Sequence, residues 1–529
     1  MRSNLYAALA LLLLPCASAL AEVKLAGIFT SHMVLQRDQA VPVWGWAEAG
    51  AKVTVEFNGQ TKRATAGADG RWMLKLDPTA AGGPHTLTVR GANTVTLDDV
   101  LVGEVWLCSG QSNMAMSVRG CLDAEKEIAS SRFPKIRMFT TAKASATKPQ
   151  DDCKGQWQIC SPQSVGSFSA TAFFFGRRLH RELGVPIGLI NSSWGGTAVE
   201  AWTSVPAQQG AANLKPIFAP WEKAKAAYDP ARAQAKYAKA LAAWEQKIKK
   251  AKAAAGGQAA RRANRRPPRK PAPPVRPDQN QNHPGNLFNG MIHPLIPYGI
   301  RGAIWYQGER NAKAPEVASL YAAQLPLMIR DWRSRWQASG GGSAADFPFL
   351  TVQLPDFRTA QSSPSQMTGW VLVREGMFQT LASTKNTGLA VALGLGDAKN
   401  IHPKNKQGVG HRLAQWALAR TYDKPMVPSG PLYQSMARSR GRIVLSFRHV
   451  GEGLISKGGG KLEGFAIAGK DGQWRWADAR IVGETVQVSH RDIIAPTAVR
   501  YAWADNPKFT LYNRDGLPAS PFRTDDWPK

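Results

Sequence analysis

Two textures of hydrophobic and polar positions divide the chain. Between residues 23 and 100 apolar and polar side chains alternate, as in Val41-Pro-Val-Trp-Gly-Trp, Val53-Thr-Val-Glu-Phe, Trp72-Met-Leu-Lys-Leu and His85-Thr-Leu-Thr-Val. Asn58-Gly59, Asp69-Gly70 and Gly82-Gly83-Pro84 punctuate these runs. Short period-two strands between turn residues predict a small β-sandwich over 22–100. From Val102 the apolar runs become continuous: Val105-Trp-Leu-Cys, Ile187-Gly-Leu-Ile-Asn, Ile300-Arg-Gly-Ala-Ile-Trp-Tyr and Phe349-Leu-Thr-Val-Gln. Stretches at 170–183, 316–336 and 407–421 have helical spacing instead. Buried strands alternating with helices predict an α/β domain over 101–424 built on a parallel sheet. After Pro425 short strands return (Arg442-Ile-Val-Leu-Ser-Phe, Thr485-Val-Gln-Val-Ser, Ala498-Val-Arg-Tyr-Ala-Trp), which predicts a β-rich domain over 425–529.

A length of 529 residues fits several domains, and 43% hydrophobic with 20% charged residues is ordinary for a globular chain. Residues 1–21 read differently. Arg2, the apolar stretch Leu5 to Leu14 and Ala19-Leu20-Ala21 have the layout of a cleaved export signal, too short to span a membrane. The expectation is a soluble periplasmic or secreted protein starting near Glu22. Export permits disulfides, and Cys153 and Cys160, which close a short polar loop, are the favoured pair. Cys108 lies in an apolar run where a buried free thiol is at least as fitting. No cysteine has metal-site spacing, so no metal is expected.

The net charge of +29 raises the possibility of a polyanion partner. Its distribution weakens that reading. Sixteen Lys or Arg against three acids fall between Glu222 and Arg276, in an Ala/Lys-rich helical stretch (221–254) followed by Gly, Arg and Pro repeats. The whole 221–285 segment reads as a basic insert ending in a mobile linker, because such repeats cannot bury a core. A nucleic-acid partner is not expected.

Ligands of parallel sheets sit beyond the carboxyl ends of the strands, so four strand-end loops hold the candidate chemistry. Ser109-Gly110-Gln111-Ser112-Asn113-Met114 offers a serine hydroxyl beside backbone N–H groups, as an acyl-transfer nucleophile requires. It lacks the GxSxG pattern, and alone it fits a serine-capped strand-to-helix turn better. Asn191-Ser-Ser-Trp-Gly-Gly-Thr197 would let a backbone N–H approach a ligand; alone it reads as a tight turn. In Trp305-Tyr306-Gln307-Gly308-Glu309-Arg310-Asn311 the Gln307 amide could face an oxyanion, while the aromatic pair more often means packing. Gly396-Asp397-Ala398-Lys399-Asn400-Ile401-His402-Pro403 carries a base with an upstream carboxylate, or equally a surface histidine beside a capping Asp.

Several ordered motifs together resemble one family. They are Phe29-Thr-Ser-His-Met-Val-Leu-Gln-Arg-Asp, Trp106-Leu-Cys-Ser-Gly-Gln-Ser-Asn-Met, Trp194-Gly-Gly-Thr-Ala-Val-Glu-Ala-Trp202, Asn289-Gly-Met-Ile, Trp305-Tyr-Gln-Gly-Glu-Arg-Asn and Ile401-His-Pro-Lys-Asn-Lys406. The pattern resembles the sialate O-acetylesterases of the SGNH hydrolase superfamily and spans the chain outside the basic insert. The resemblance implies a flavodoxin-like three-layer α/β domain and a metal- and cofactor-free esterase acting on acetylated carbohydrate. It implies Ser112 as nucleophile, His402 as base, and an oxyanion hole from the Ser112 N–H, a Gly195-Gly196 N–H (Gly196 preferred) and Gln307. Gln111, Asn113, Glu309 and Asn311 would support the site. The superfamily's acid normally stands three residues before the histidine, where this chain has Lys399. Asp397, the remaining local carboxylate, is the expected acid of the triad; the alternative is a Ser-His dyad oriented by a backbone carbonyl. Acetylated xylan is an alternative substrate, and a non-catalytic sugar-binding protein is the rival outside enzymes.

Overall fold

The computed structural model describes residues 22–255, 268–340 and 343–527. The expected export signal lies outside them. Among the described residues no helix is long and apolar enough to cross a membrane.

One strand organises the fold. Thr94–Gly110 runs unbroken across the expected boundary at residue 100. Its first half pairs antiparallel with Gly82–Arg90, and Leu101 to Gly103 pair in parallel with Val34–Gln36. Its second half lies between two parallel neighbours, Ile187–Ser193 and Gly302–Tyr306. The N-terminal strands and the catalytic sheet are therefore joined through one backbone rather than by a linker. In the N-terminal region the period-two pattern meets the core as expected: Trp72, Leu74 and Leu76 are buried, while Arg71, Met73 and Lys75 are exposed.

The larger part of the sheet has the order Trp157–Cys160, Phe133–Thr140, Ile187–Ser193, Thr94–Gly110, Gly302–Tyr306, Phe349–Val352, Thr387–Ala390. Only the first of these strands is antiparallel to its neighbour. Alternate residues feed opposite faces. Val105, Leu107, Ala303 and Trp305 enter the core beneath helices Tyr321–Ala338 and Gly369–Ser383, with Trp332, Trp336 and Trp370. Trp106, Cys108, Ile304 and Tyr306 enter the core beneath helices Ala170–Leu183 and Lys406–Arg420, with Phe173, Phe175 and Leu413. Burial on both faces explains why these strands read as continuous apolar runs. The mixed α/β architecture with several sheets is that expected.

Glu104, fully buried on the long strand, ties the two regions together. Its carboxylate accepts from Arg37 Nε at 2.5 Å, Arg301 Nε at 2.7 Å, the Tyr422 hydroxyl at 3.0 Å and Gln36 Nε2 at 3.3 Å. Burial alone would raise this carboxyl, but the Arg301 and Arg37 contacts outweigh it and hold it below its ordinary value. Toward the C-terminus, Arg374 donates to the carbonyls of Leu354, Pro355, Ala504 and Asp505. It thereby fastens the β-rich region to the loop after strand Phe349–Val352.

Two expectations are corrected. Cys153 and Cys160 are free and buried, as are Cys108 and Cys121. Residues 157–160 form a strand, which carries Cys160 into the core of the Phe173 face while Cys153 stays in the opposite core. The end of the basic insert is also less loose than its composition suggests. Helices Ala219–Ala226 and Pro230–Ala255 form as expected, and 256–267 lie outside the described residues. Residues 277–285, however, are fastened to the catalytic sheet's loops: Asn282 Oδ1 accepts from Ala198 N at 3.0 Å, and Gly285 N donates to Glu200 O at 3.0 Å.

Candidate active site

Three loops leave the sheet at one level, because Gly110 stands opposite Ser193 on one side and Tyr306 on the other. Gln111 N donates to Tyr306 O and Trp194 N donates to Gly110 O, each at 3.0 Å, so the strand ends are stapled together. Gly110 is required here: at φ +138° its Cβ would lie 2.2 Å from Tyr306 O.

Ser112 opens the one-turn helix Ser112–Ala115 at the end of the long strand. As the first helical residue its N–H has no intrahelical acceptor, so it is free to face a ligand. His402 Nε2 lies 2.8 Å from Ser112 Oγ, although 290 positions separate them in the chain. Burial lowers the His402 imidazole below its ordinary value, and the Lys406 ammonium lowers it further. The neutral ring, able to accept the hydroxyl proton, therefore prevails at pH 7.

The glycine against the nucleophile is Gly195. A Cβ there would fall 3.2 Å from Ser112 Cβ, whereas one on Gly196 would meet nothing within 4 Å. By contact, Gly195 rather than Gly196 is the glycine packed against Ser112. Gln307 is directed elsewhere than the sequence suggested. Its Nε2 donates to Thr197 O at 3.0 Å and Asn311 Oδ1 at 2.7 Å, while its Oε1 accepts from the Tyr321 hydroxyl at 2.9 Å. The Thr197 carbonyl can only accept, which fixes the amide's orientation and commits both hydrogens. Gln307 therefore braces the loops instead of presenting a donor to an oxyanion. Asn311 is its partner in that bracing, accepting from Val199 N and donating to Glu200 Oε2. Gln111 holds the third loop through Arg310 N, which donates to its Oε1 at 3.3 Å.

Asp397 does not reach His402. It is exposed, its Oδ1 accepts from Lys399 N at 2.9 Å, and its carbonyl accepts from Asn400 N. Asn400 Oδ1 in turn accepts from His402 N at 3.0 Å. Both side chains are spent on local turns, a use for which Asp and Asn are suited. The triad with Asp397 is accordingly not formed.

Sequence reasoning named Asn113 and Glu309 but missed what joins them. Asn113 Nδ2 donates to Glu309 Oε1 at 2.5 Å and to Ile401 O at 3.0 Å, and Asn113 Oδ1 accepts from Lys406 Nζ at 2.6 Å. Lys406 was visible only as the last letter of a motif; its burial could not be read locally. Glu200 likewise stood only inside a motif, and Tyr321 and Gln324 carried no signal; the three form the outer brace of Gln307 and Asn311. Among the described residues no group of three or more His, Cys, Asp or Glu is placed to hold a metal ion.

A family model described as carbohydrate esterase, sialic acid-specific acetylesterase, matches residues 102–258 and 278–419, more than half of the chain. The chain belongs to this family. Its relatives include the sialate O-acetylesterase of Rattus norvegicus, 31% identical with 94% of each chain covered. That of Homo sapiens is 29% identical over 94% of this chain and 92% of the relative. Among solved structures, a carbohydrate acetylesterase from Xanthomonas citri superposes with a TM-score of 0.78 at 34% identity, covering 96% of this chain and all of the other. Family membership makes the protein a carboxylic ester hydrolase, with an acetylated carbohydrate as the fitting substrate.

Proposed function

We propose that the protein is an exported sialate O-acetylesterase working through an acetyl-Ser112 intermediate on a Ser-His pair. The observation that carries the mechanism is the 2.8 Å contact between Ser112 Oγ and His402 Nε2 at the carboxyl end of the sheet. His402 takes the hydroxyl proton as Oγ attacks the acetyl carbonyl, and the tetrahedral oxyanion is received by the N–H groups of Ser112 and Gly195. Collapse expels the sugar alkoxide, which His402 protonates. A water deprotonated by His402 then attacks the acetyl ester, releasing acetate and restoring Ser112. No metal or cofactor enters this scheme.

The sugar platform in this reading is Trp194, half-buried next to Gly195, with the exposed Lys143 Nζ 5.6 Å from its ring centroid. An aromatic face suits a pyranose, and an adjacent cation suits a sugar acid such as a sialic acid. The signal-like residues 1–21 support export to the periplasm or beyond. The test is acetate release from 9-O-acetylated sialic acid and acetylated xylan side by side. Faster turnover of the sialic acid ester supports the reading; preference for xylan would replace it with a hemicellulose esterase.

A further inference from the structure

We infer that Lys406 is a positioning residue that acts through Asn113 to hold Ser112 and His402 at reacting distance. The inference rests on the esterase reading above and assigns Lys406 a role in that reaction.

Lys406 is fully buried, a rare state for a lysine, and it is the first residue of helix Lys406–Arg420. A cation at a helix N-terminus opposes the helix dipole. Two unfavourable placements in one side chain need an offsetting arrangement, and the surroundings supply it. Lys406 Nζ donates to Asn113 Oδ1 at 2.6 Å and stands 5.0 Å from the Tyr306 ring centroid. Across the same amide, Glu309 accepts from Asn113 Nδ2 at 2.5 Å. The Asn113 amide thus bridges a buried cation and a buried carboxylate, and its orientation is set by both.

That orientation matters because of where Asn113 sits. It follows Ser112 in the chain, and its Nδ2 also donates to the carbonyl of Ile401, which precedes His402. One side chain therefore joins the nucleophile's helix to the base's loop, and Lys406 holds its amide from the side opposite Glu309 and Ile401. Without the Lys406 donor, Asn113 Oδ1 would be buried unpaired, and the link between the two loops would lose its hold on one side.

The charge has a second effect on His402. The charged and titratable groups facing Lys406 are Glu309, His402, the Tyr306 phenol, which burial pushes well up, and the Cys121 thiol, which burial and then Glu127 push up to about 11, so that the last two are neutral. Burial brings Lys406 itself down to about 7 while Glu309 opposes that fall. When protonated, Lys406 disfavours the imidazolium form of His402 and so extends the active, neutral base toward lower pH.

The test compares Lys406→Met and Lys406→Gln with wild type. Glutamine retains a donor for Asn113 but no charge. Steady-state 4-nitrophenyl acetate hydrolysis gives kcat, KM and the pH profile, and the inactivation rate with phenylmethanesulfonyl fluoride reports Ser112 without any sugar. In folded Lys406→Met we expect kcat to fall at least about tenfold with KM within about twofold, as loss of alignment requires. The acid limb moves to higher pH in both variants, and Lys406→Gln recovers part of kcat but not the limb. Unchanged kcat and limb in either folded variant overturns the inference, as does a change confined to KM. Failure of both variants to fold also overturns it, since Lys406 is then structural only. An inactive wild type would instead refute the esterase reading itself.

Discussion

Gly195→Ala places the smallest possible side chain at the point where the second loop touches the nucleophile. The added Cβ would stand 3.2 Å from Ser112 Cβ and 3.5 Å from its Cα. Carbon atoms prefer about 3.5–4.0 Å, so Ser112 must withdraw by roughly 0.5 Å. A shift of that size moves Ser112 Oγ off the 2.8 Å contact with His402 Nε2. A misplacement of about 1 Å costs on the order of a hundredfold, so half of it predicts roughly a tenfold loss in kcat, or about 1.4 kcal/mol of barrier. Overpacking also lowers folding stability by about 1–3 kcal/mol. Kinetics with 4-nitrophenyl acetate and a thermal melt separate the two effects. Gly196→Ala is the comparison: its Cβ meets no atom, but φ is +74°, so it should cost about 1 kcal/mol of stability and leave kcat much closer to wild type. Gly195→Ala with kcat within twofold of wild type would refute the placement of Gly195 against Ser112.

Four further outcomes follow from the same geometry. The kcat/KM of the wild type should rise with pH through a midpoint below the ordinary histidine value of 6.5, because burial and then Lys406 depress His402; a midpoint at or above 7 contradicts this. Glu104→Ala should destabilise the fold by about 3–5 kcal/mol in a denaturant titration, since it strands Arg37 and Arg301 around a lost buried partner. Glu104 is held below its ordinary 4.5, so the stability it contributes is present above that pH and is lost as pH falls through its folded value; a loss under 1 kcal/mol for the variant would remove it as the clamp. Lys143→Ala should raise KM for 9-O-acetylated sialic acid several-fold while leaving 4-nitrophenyl acetate unchanged, and equal effects on both would sink the platform's charge role. Alkylation of the unfolded, unreduced protein should label both Cys153 and Cys160, whereas a peptide linking them would contradict their separation into two cores.

What the sequence made legible was mostly local. The strand-end loops stood out because a strand buried on both faces is a continuous apolar run, and the polar loop that ends it is conspicuous. Glycines marked where backbones approach one another, although choosing between Gly195 and Gly196 needed the contact itself. The helix Gly369–Ser383 went unread because Trp370, Val371, Leu372, Val373, Met377 and even Arg374 are buried, leaving little polar contrast around its axis. Arg374 looks like a surface residue in sequence, yet it is paired with four carbonyls from two distant segments. Asp397 was misleading for the converse reason: proximity to His402 in sequence brought it into a turn beside the base rather than into contact with the ring. Gln307 and Lys406 take their roles from partners up to 293 positions away, and no local pattern encodes such partners.

The most direct test of the account is acetate release by wild type and Ser112→Ala, measured on 4-nitrophenyl acetate and 9-O-acetylated sialic acid. The account predicts turnover of both substrates by wild type. It predicts a loss of at least about a thousandfold in the variant, which removes the atom 2.8 Å from His402 Nε2 and with it the acyl-enzyme route. A fully active Ser112→Ala would contradict the central claim, and so would a wild type that releases acetate from neither ester.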